Sequence, residues 1–349
     1  MEARPPGNDP FKLRILSKHK SDGKLNQIPK NADLYFAASE EERGKFKELL
    51  SLKPVRTISG VAPIALMSDP YPCPHSMKGI GPCTYCPGGP GSAFGDMPQS
   101  YTGKEPSTRR SIRNNYDPYL IVFNRLEHYV AMGKVPDKAE IIIQGGTFTF
   151  FPKSYQEYFV KYALKAMNDF SRLFFDEQGN LDLSKFKSFF ELPRVLSEED
   201  KRTRNVQQKL LKIKNLDLND VGVKEKAEDM FFEDNFIDNG FNNFKINYIK
   251  NNEQNQSLEI IENEIQDANV LAIKRIQSKL KSDDNQNLTL KQIQKENETS
   301  FIRCVGLTIE TKSDFGKLYH GNLMLELGCT RVEIGIQSIY DEVLEATNR

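Results

Sequence analysis

The sequence predicts an α/β protein in which a parallel sheet forms part of a (β/α) barrel, interrupted by a low-complexity insertion. Short apolar segments typical of buried strands alternate with segments of helical spacing, and this alternation indicates a parallel sheet with covered faces. Polar or glycine-rich motifs follow the predicted strands, where active sites of such folds collect. One internal stretch, residues 201–300, holds 16 Asn and 9 Gln but no Pro and no Cys.

Seven segments make up the predicted core. In chain order they are a strand at residues 58–68, a helix at 119–132, a strand at 140–144, a helix at 155–170, a strand at 304–309, a helix at 315–327 and a strand at 331–336. The first helix, for example, places Leu120, Phe123 and Tyr129 on one side, as an amphipathic helix does. The strands are nearly continuous apolar runs, as expected where both faces of a sheet are buried.

Changes in composition divide the chain into four parts. Residues 1–57 form a basic segment with 12 Lys and Arg against 8 Asp and Glu. Residues 58–172 and 288–349 are the two parts of the predicted core. Residues 173–287 are read as the insertion, a surface segment that is partly helical, largely mobile and without chemistry.

Length and charge exclude several classes of protein. The 349 residues suffice for one large α/β domain or two smaller ones, and 48 Lys and Arg balance 48 Asp and Glu. Net charge therefore does not indicate nucleic-acid binding. No apolar run reaches membrane-spanning length, and residues 1–10 lack the apolar core of a secretory signal. Together with five cysteines, these features predict a soluble intracellular protein without disulfides.

The strongest chemical motif is the cysteine loop, residues 73–90, in which Cys73, Cys83 and Cys86 are spaced C-x9-C-x2-C and followed by Pro-Gly-Gly-Pro. An iron–sulfur cluster is usually held by four cysteines, so three would leave one iron open to a further ligand. With His75, the same residues also make a Cys3His set of the kind that binds structural zinc. The glycines favour the cluster because they allow the backbone to approach a ligand closely.

Two further motifs end predicted strands. Gly145 and Gly146 either make a simple turn or allow close approach of a ligand to the backbone. Glu310 closes an apolar strand, where it is either a ribose-binding carboxylate or an ordinary strand-end residue.

A basic cluster follows the cysteine loop. Arg109, Arg110 and Arg113 precede Tyr116, and arginine beside aromatic residues suits phosphate binding and base stacking. The alternative is a solvated helix face. Cys304 and Cys329 lie in apolar strand contexts and are predicted to be small buried side chains.

Taken in order, the motifs closely resemble the catalytic subunits of the Elongator complex, a family of radical S-adenosylmethionine (SAM) tRNA-modifying enzymes. The resemblance covers about residues 30–172 and 288–349. Its motifs are residues 53–62 (KPVRTISGVA), the cysteine loop, 99–106 (QSYTGKEP), 116–119 (YDPY), 145–148 (GGTF), 305–311 (VGLTIET) and 328–338 (GCTRVEIGIQS).

The resemblance implies a specific set of ligands. Cys73, Cys83 and Cys86 would hold a [4Fe-4S] cluster. SAM would be bound by Tyr85 beside its adenine, Gly145 and Gly146 at its amino group, and Glu310 at its ribose. Lys138 would contact acetyl-CoA, for which a lysine is a suitable point charge. The implied reaction is carboxymethylation of the wobble uridine of tRNA at its C5 position.

The family resemblance also implies partners and a location. These are tRNA, contacted by residues 1–57 and by Arg109, Arg110 and Arg113, and other Elongator subunits, with no membrane. The implied location is the cytoplasm and also the nucleus.

Two departures from the family pattern leave alternatives open. Lys312 and Ser313 stand where the family has Arg and Pro, and residues 347–349 lie inside a motif that normally continues Gly-His. We therefore expect the end of the radical SAM domain and the acetyltransferase-like domain to be missing, which leaves the activity of this chain open. The alternatives are a radical SAM enzyme with another substrate and a non-catalytic zinc or scaffold protein.

Overall fold

The computed structural model describes residues 34–36, 38–45, 59–192, 198–232, 258–283 and 288–349. Within them, four parallel strands form one sheet in the order β1-β2-β3-β4. The strands are β1 (Val61–Met67), β2 (Lys138–Gln144), β3 (Arg303–Lys312) and β4 (Arg331–Gly335). The predicted α/β class and parallel sheet are confirmed, while closure into a barrel stays a prediction.

Helices connect and cover the strands. They are α1 (Glu40–Lys45), α2 (Pro74–Met77), α3 (Pro106–Arg113), α4 (Pro118–Ala131), α5 (Lys153–Phe174), α6 (Leu183–Phe189), α7 (Glu199–Lys214), α8 (Val221–Phe232), α9 (Leu258–Lys281), α10 (Leu290–Asn297), α11 (Leu318–Glu326) and α12 (Asp341–Ala346). Among the helices described, none combines the length and apolar character needed to cross a membrane.

The register of the parallel strands places the strand ends that precede the chemical motifs at the same level of the sheet. Met67 at the end of β1 pairs with Gln144 at the end of β2, and Glu310 of β3 pairs with Glu333 of β4. Because parallel strands share a direction, the segments that follow β1 and β2 leave the sheet at the same edge.

The start of α4 is specified locally. Asp117 is the N-cap, and its Oδ1 accepts hydrogen bonds from the backbone N–H groups of Tyr119 and Leu120. Pro118 occupies the first helical turn, where its missing N–H costs nothing. Most of α4 and α5 is buried, and their aromatic side chains pack with β1 and β2 into one apolar core.

The described parts of residues 173–287 belong to this core. Phe186, Phe189 and Phe190 are fully buried among its aromatic side chains. The prediction of a surface segment is therefore wrong for these parts. These phenylalanines precede the Asn- and Gln-rich residues 201–300, and they pack against Phe170 and Phe174 of α5. The domain boundary itself stays a prediction.

Buried charges also tie this segment to the core. Lys214 Nζ lies 2.6 Å from Asp117 Oδ2, and Lys161 Nζ lies 2.8 Å from Asp283 Oδ2, with all four side chains about nine-tenths buried. Burial by itself would raise the pKa of Asp117, but Lys214, Lys279 and the backbone hydrogen bond from Leu120 together hold that pKa below its ordinary value.

Candidate functional site

The cysteine loop leaves the carboxyl end of β1. Cys73 is the N-cap of the short helix α2, Cys83 is buried, and Cys73 and Cys86 are half-buried. All three thiols are free, as are those of Cys304 and Cys329.

Cys86 is held by its own loop and by a side chain from the segment that follows. Its Sγ lies 3.5 Å from the carbonyl oxygen of Gly88 and 3.4 Å from Gln99 Oε1, and it accepts the backbone N–H of Ser100 at 3.3 Å. Sequence reasoning assigned Gln99 no role, although it opens one of the motifs in the family's order. The signal that could have identified Gln99 in the sequence was its place as the polar first residue of the motif at residues 99–106.

Gly145 and Gly146 follow β2, and they permit a close approach of Ser68, which follows β1, and of Gln99, which follows the cysteine loop. Their φ angles are +119° and +96°. A Cβ added at Gly145 would lie 2.3 Å from Ser68 Oγ, and one at Gly146 would lie 2.7 Å from Gln99 Cβ. Both positions therefore require glycine for conformation and for space.

Glu310 lies at the same edge, with both carboxylate oxygens hydrogen-bonded. Gln144 Nε2 donates to Oε1 at 2.8 Å, and the hydroxyl of Tyr101 donates to Oε2 at 3.2 Å. Burial raises the pKa of Glu310, and these two hydrogen bonds only partly oppose the rise. Burial and the neighbouring carboxylate in turn raise the pKa of Tyr101.

His75 lies inside the protein. Its Nε2 contacts the Nζ of Lys312 and lies 3.4 Å from Asp314 Oδ2. Lys312 Nζ is also 3.3 Å from Asp314 Oδ2. This arrangement ties α2 to the end of β3, and it engages Nε2 of His75, one of the two imidazole nitrogens that can bind zinc.

The cysteine loop has suitable side chains for binding a metal cluster, but these side chains are not grouped around one point. Three free thiols in one loop are a suitable donor set for a metal cluster. Yet in the described part of the chain, no three His, Cys, Asp or Glu side chains are grouped so that they would hold a metal ion. Tyr85 is half-exposed.

Residues 347–349 pack on the cysteine loop. The side-chain amide of Asn348 donates to the carbonyl oxygens of residues 80, 81 and 82 at 2.9–3.1 Å. Arg349 Nη1 lies 4.0 Å from Cys83 Sγ. The region around Cys83 is therefore covered by chain that is distant in sequence.

The remaining predicted residues are placed differently. Lys138 begins β2, where it pairs in register with Val61, and is exposed at the amino edge of the sheet, opposite the cysteine loop. Arg109 and Arg113 are exposed on α3. Arg110 instead points inward, with Nη1 3.4 Å from the carbonyl oxygen of Ala65, and burial lowers its pKa to about 10.

Of the two cysteines outside the loop, which were both predicted to be buried, Cys329 is buried and Cys304 is partly buried. Each thiol donates to a nearby backbone carbonyl. Burial raises the pKa of Cys304 to about 11, so its thiol stays protonated at neutral pH.

Fold and site together define an α/β protein with a cysteine loop, a glycine pair and a buried glutamate at one edge of a parallel sheet. The chain is 32% identical to a tRNA uridine(34) acetyltransferase of Methanocaldococcus jannaschii, over 92% of this chain and 37% of that protein. It is 28% identical to Elongator complex protein 3 of Mus musculus, over the whole chain and 43% of that protein. It is thus a homologue of Elongator complex protein 3 and the tRNA uridine(34) acetyltransferases.

The relatives that match this chain are longer than it. The chain spans about two fifths of the length of the curated relatives it matches. A solved structure of Elp3 from Methanocaldococcus infernus matches 82% of this chain and 31% of that chain at 22% identity, with a TM-score of 0.35, which supports no structural argument. No family model matches the chain.

Proposed function

We propose that this chain carries the cluster- and SAM-binding part of an enzyme that modifies the wobble uridine of tRNA. The observation that carries the proposal is the meeting of three motifs at one sheet edge. Gln99 touches both the thiol of Cys86 and the backbone at Gly146, and Glu310 lies one strand further. The names of the homologues, which refer to tRNA uridine(34) and Elongator, supply the substrate and partner classes.

Cys73, Cys83 and Cys86 are the ligands in this proposal. A [4Fe-4S] cluster held by these thiolates would supply the electron that cleaves SAM. To bind it, the loop has to draw the three thiolates together, and its glycine-rich sequence permits this.

The chain's own residues then position the ligand. In this proposal Gly145 and Gly146 lie beside the amino end of SAM, and Tyr85 offers a ring face to its adenine. Glu310, held by Gln144 and Tyr101, accepts hydrogen bonds from the ribose hydroxyls. Burial of Glu310 strengthens these contacts because the local dielectric constant is low.

The residues proposed to contact the substrates do not lie together at one site. Acetyl-CoA is the acyl source, with Lys138 as a contact, and 5-carboxymethyluridine is the product. Because Lys138 lies at the amino edge of the sheet, this contact would serve a binding region separate from the cysteine loop. Arg109 and Arg113 offer tRNA phosphates two exposed charges beside the loop. Other Elongator subunits are the proposed partners, and the cytoplasm and nucleus the proposed locations.

Metal analysis tests the proposal directly. Anaerobically purified and reconstituted protein is expected to contain about four iron atoms per chain, with matching sulfide and a visible charge-transfer absorbance. Changing Cys83 or Cys86 to Ala should abolish that iron, while Cys304→Ala, as the matched control, should keep it. Stoichiometric zinc without iron would overturn the proposal in favour of the structural zinc alternative.

A further inference from the structure

The helix α9 lies in the Asn- and Gln-rich segment, yet one of its faces packs inward. Ala272 and Ile276 are four residues apart, and they are only 2% and 1% exposed. Arg275 and Lys279 are also four residues apart and flank this apolar stripe. A helix face that combines a buried stripe with two cations is built to dock on an acidic surface.

The first acidic partner precedes the cysteine loop. Asp69 lies two residues after β1 and four before Cys73, and it is 1% exposed. Lys279 Nζ donates to its two carboxylate oxygens at 2.6 and 2.8 Å, and the hydroxyl of Tyr155 donates to it at 2.8 Å. Lys279 is thus the cation that compensates a buried carboxylate at the entry to the loop.

The second acidic partner follows the loop. Asp96 lies ten residues after Cys86, and its Oδ2 is 3.3 Å from Nη2 of Arg275. Its other oxygen accepts the backbone N–H of Gly91 at 3.1 Å. Lys279 makes one more contact, to the carbonyl oxygen of Asn115 at 2.9 Å. Two successive turns of α9 therefore hold the chain on both sides of the cysteine loop.

We propose that α9 is a clamp that fixes the two ends of the cysteine loop through Lys279–Asp69 and Arg275–Asp96, with Lys279 as the principal positioning residue. The two ion pairs differ in how much they stabilise the structure. Removing one partner of a buried pair leaves a charge that is neither solvated nor compensated, whereas an exposed pair contributes little. Lys279 therefore holds the entry of the loop, and Arg275 restrains its exit.

The clamp has a consequence for the loop's conformation. Between Asp69 and Asp96 the only described helix is α2, of four residues, and no strand of the sheet lies in this stretch. Fixing both ends reduces the conformations open to the three thiols. The clamp itself needs no metal, but its effect on cluster assembly rests on the proposed function.

Hydrogen exchange tests the clamp on the full chain without metal. Lys279→Met is expected to speed exchange of amides in residues 70–96 by more than about 100-fold, because it leaves a buried carboxylate without its cation. Arg275→Met should speed it only about two- to fivefold, near Asp96. Lys274→Met, an exposed lysine on the same helix, is the matched control and should change nothing.

Rescue separates positioning from general loss of structure. Lys279→Arg should restore slow exchange, and adding Asp69→Asn to Lys279→Met should recover most of it because no buried charge is left unpaired. Unchanged exchange in residues 70–96, or equal acceleration throughout the protein, would overturn the clamp. If Lys279→Met does not fold, Arg275→Met and Lys279→Arg still decide.

Iron content distinguishes failure of the clamp from failure of the proposed function. The clamp predicts that reconstituted Lys279→Met retains less than half of the iron of the parent, with Lys274→Met unchanged. A parent protein that binds no iron would refute the proposed function, and the exchange result would still test the clamp.

Discussion

The side chain of Gln99 contacts the thiol of Cys86, with 3.4 Å between Oε1 and Sγ. The same side chain fills the space that a Cβ at Gly146 would need, and its Nε2 donates to the carbonyl oxygen of Tyr71 at 3.4 Å. One glutamine therefore connects the segments that follow β1 and β2. The absence of a side chain at position 146 makes this contact possible.

Gly146→Ala is expected to displace Gln99 and to destabilise the fold. The new Cβ would lie 2.7 Å from the Cβ of Gln99, at a φ of +96°. Gly60→Ala is the matched control, because Gly60 has a φ of +76° and no atom within 4 Å of an added Cβ. The control should cost about 1–2 kcal/mol from backbone strain alone. Chemical denaturation measures both, and equal costs would contradict a steric role for Gln99.

Glu310→Gln is expected to stabilise the protein at neutral pH. Burial raises the pKa of Glu310 in the folded state. A carboxyl whose folded pKa is raised favours folding below its unfolded pKa of about 4.5, and this contribution is lost as pH rises through the folded value. The wild type should therefore gain stability on mild acidification relative to the variant. Thermal melts of both proteins between pH 4 and pH 8 test this. Parallel pH profiles for the two would contradict it.

Lys214→Met is expected to destabilise the protein by about 3–5 kcal/mol, because it leaves Asp117 buried without its cation. Lys153→Met is the matched control. Its Nζ is 2.7 Å from Glu326, a similar distance, but that pair is exposed and its loss should change stability little.

The same pair predicts acid sensitivity. Since the folded pKa of Asp117 is lowered, its contribution is present above the unfolded pKa and is lost as pH falls through the folded value. Denaturation at neutral and at acid pH measures both effects. A Lys214 variant that matches the Lys153 control at neutral pH would show that the buried pair is dispensable.

Deleting residues 180–285 and bridging the gap with a short Gly/Ser linker is expected to prevent folding. The loop-closure cost of the linker is small. The deletion, however, removes three fully buried phenylalanines of the core, and truncating even one such side chain costs about 3–5 kcal/mol. Solubility and circular dichroism report the result. A soluble, cooperatively unfolding product would show that the segment is dispensable to the core.

Arg109→Glu combined with Arg113→Glu is expected to weaken tRNA binding and to reduce the salt dependence of the affinity by about two units of slope. Arg110 is left intact because its guanidinium is buried against the backbone of β1. Lys291→Glu with Lys295→Glu changes the same charge on exposed positions of α10 and is the matched control. Filter-binding titrations across salt concentrations measure both. Equal loss in the two variants would indicate a purely global charge effect.

The sequence by itself determined the strands, the main helices and the order of motifs along the sheet edge. Apolar runs, helical spacing and glycine pairs are local properties, so the positions of β1, β2, α4 and α5 followed from them. The alignment of Gly145, Gly146 and Glu310 with the cysteine loop followed from the geometry of parallel strands. The basic segment at residues 12–30 lies outside the described residues and stays a prediction.

Only the tertiary structure decided which polar residues are inside. Arg110 and Lys279 read as surface charges because composition carries no information about distant partners, such as the Asp69 carboxylate that Lys279 meets across 210 positions. The sequence places Lys138 next to the start of a strand, and the pairing of Lys138 with Val61 shows that it lies at the amino edge of the sheet. Phe186, Phe189 and Phe190 were assigned to the surface with the rest of residues 173–287, because the sequence does not show that α5 leaves space for them in the core.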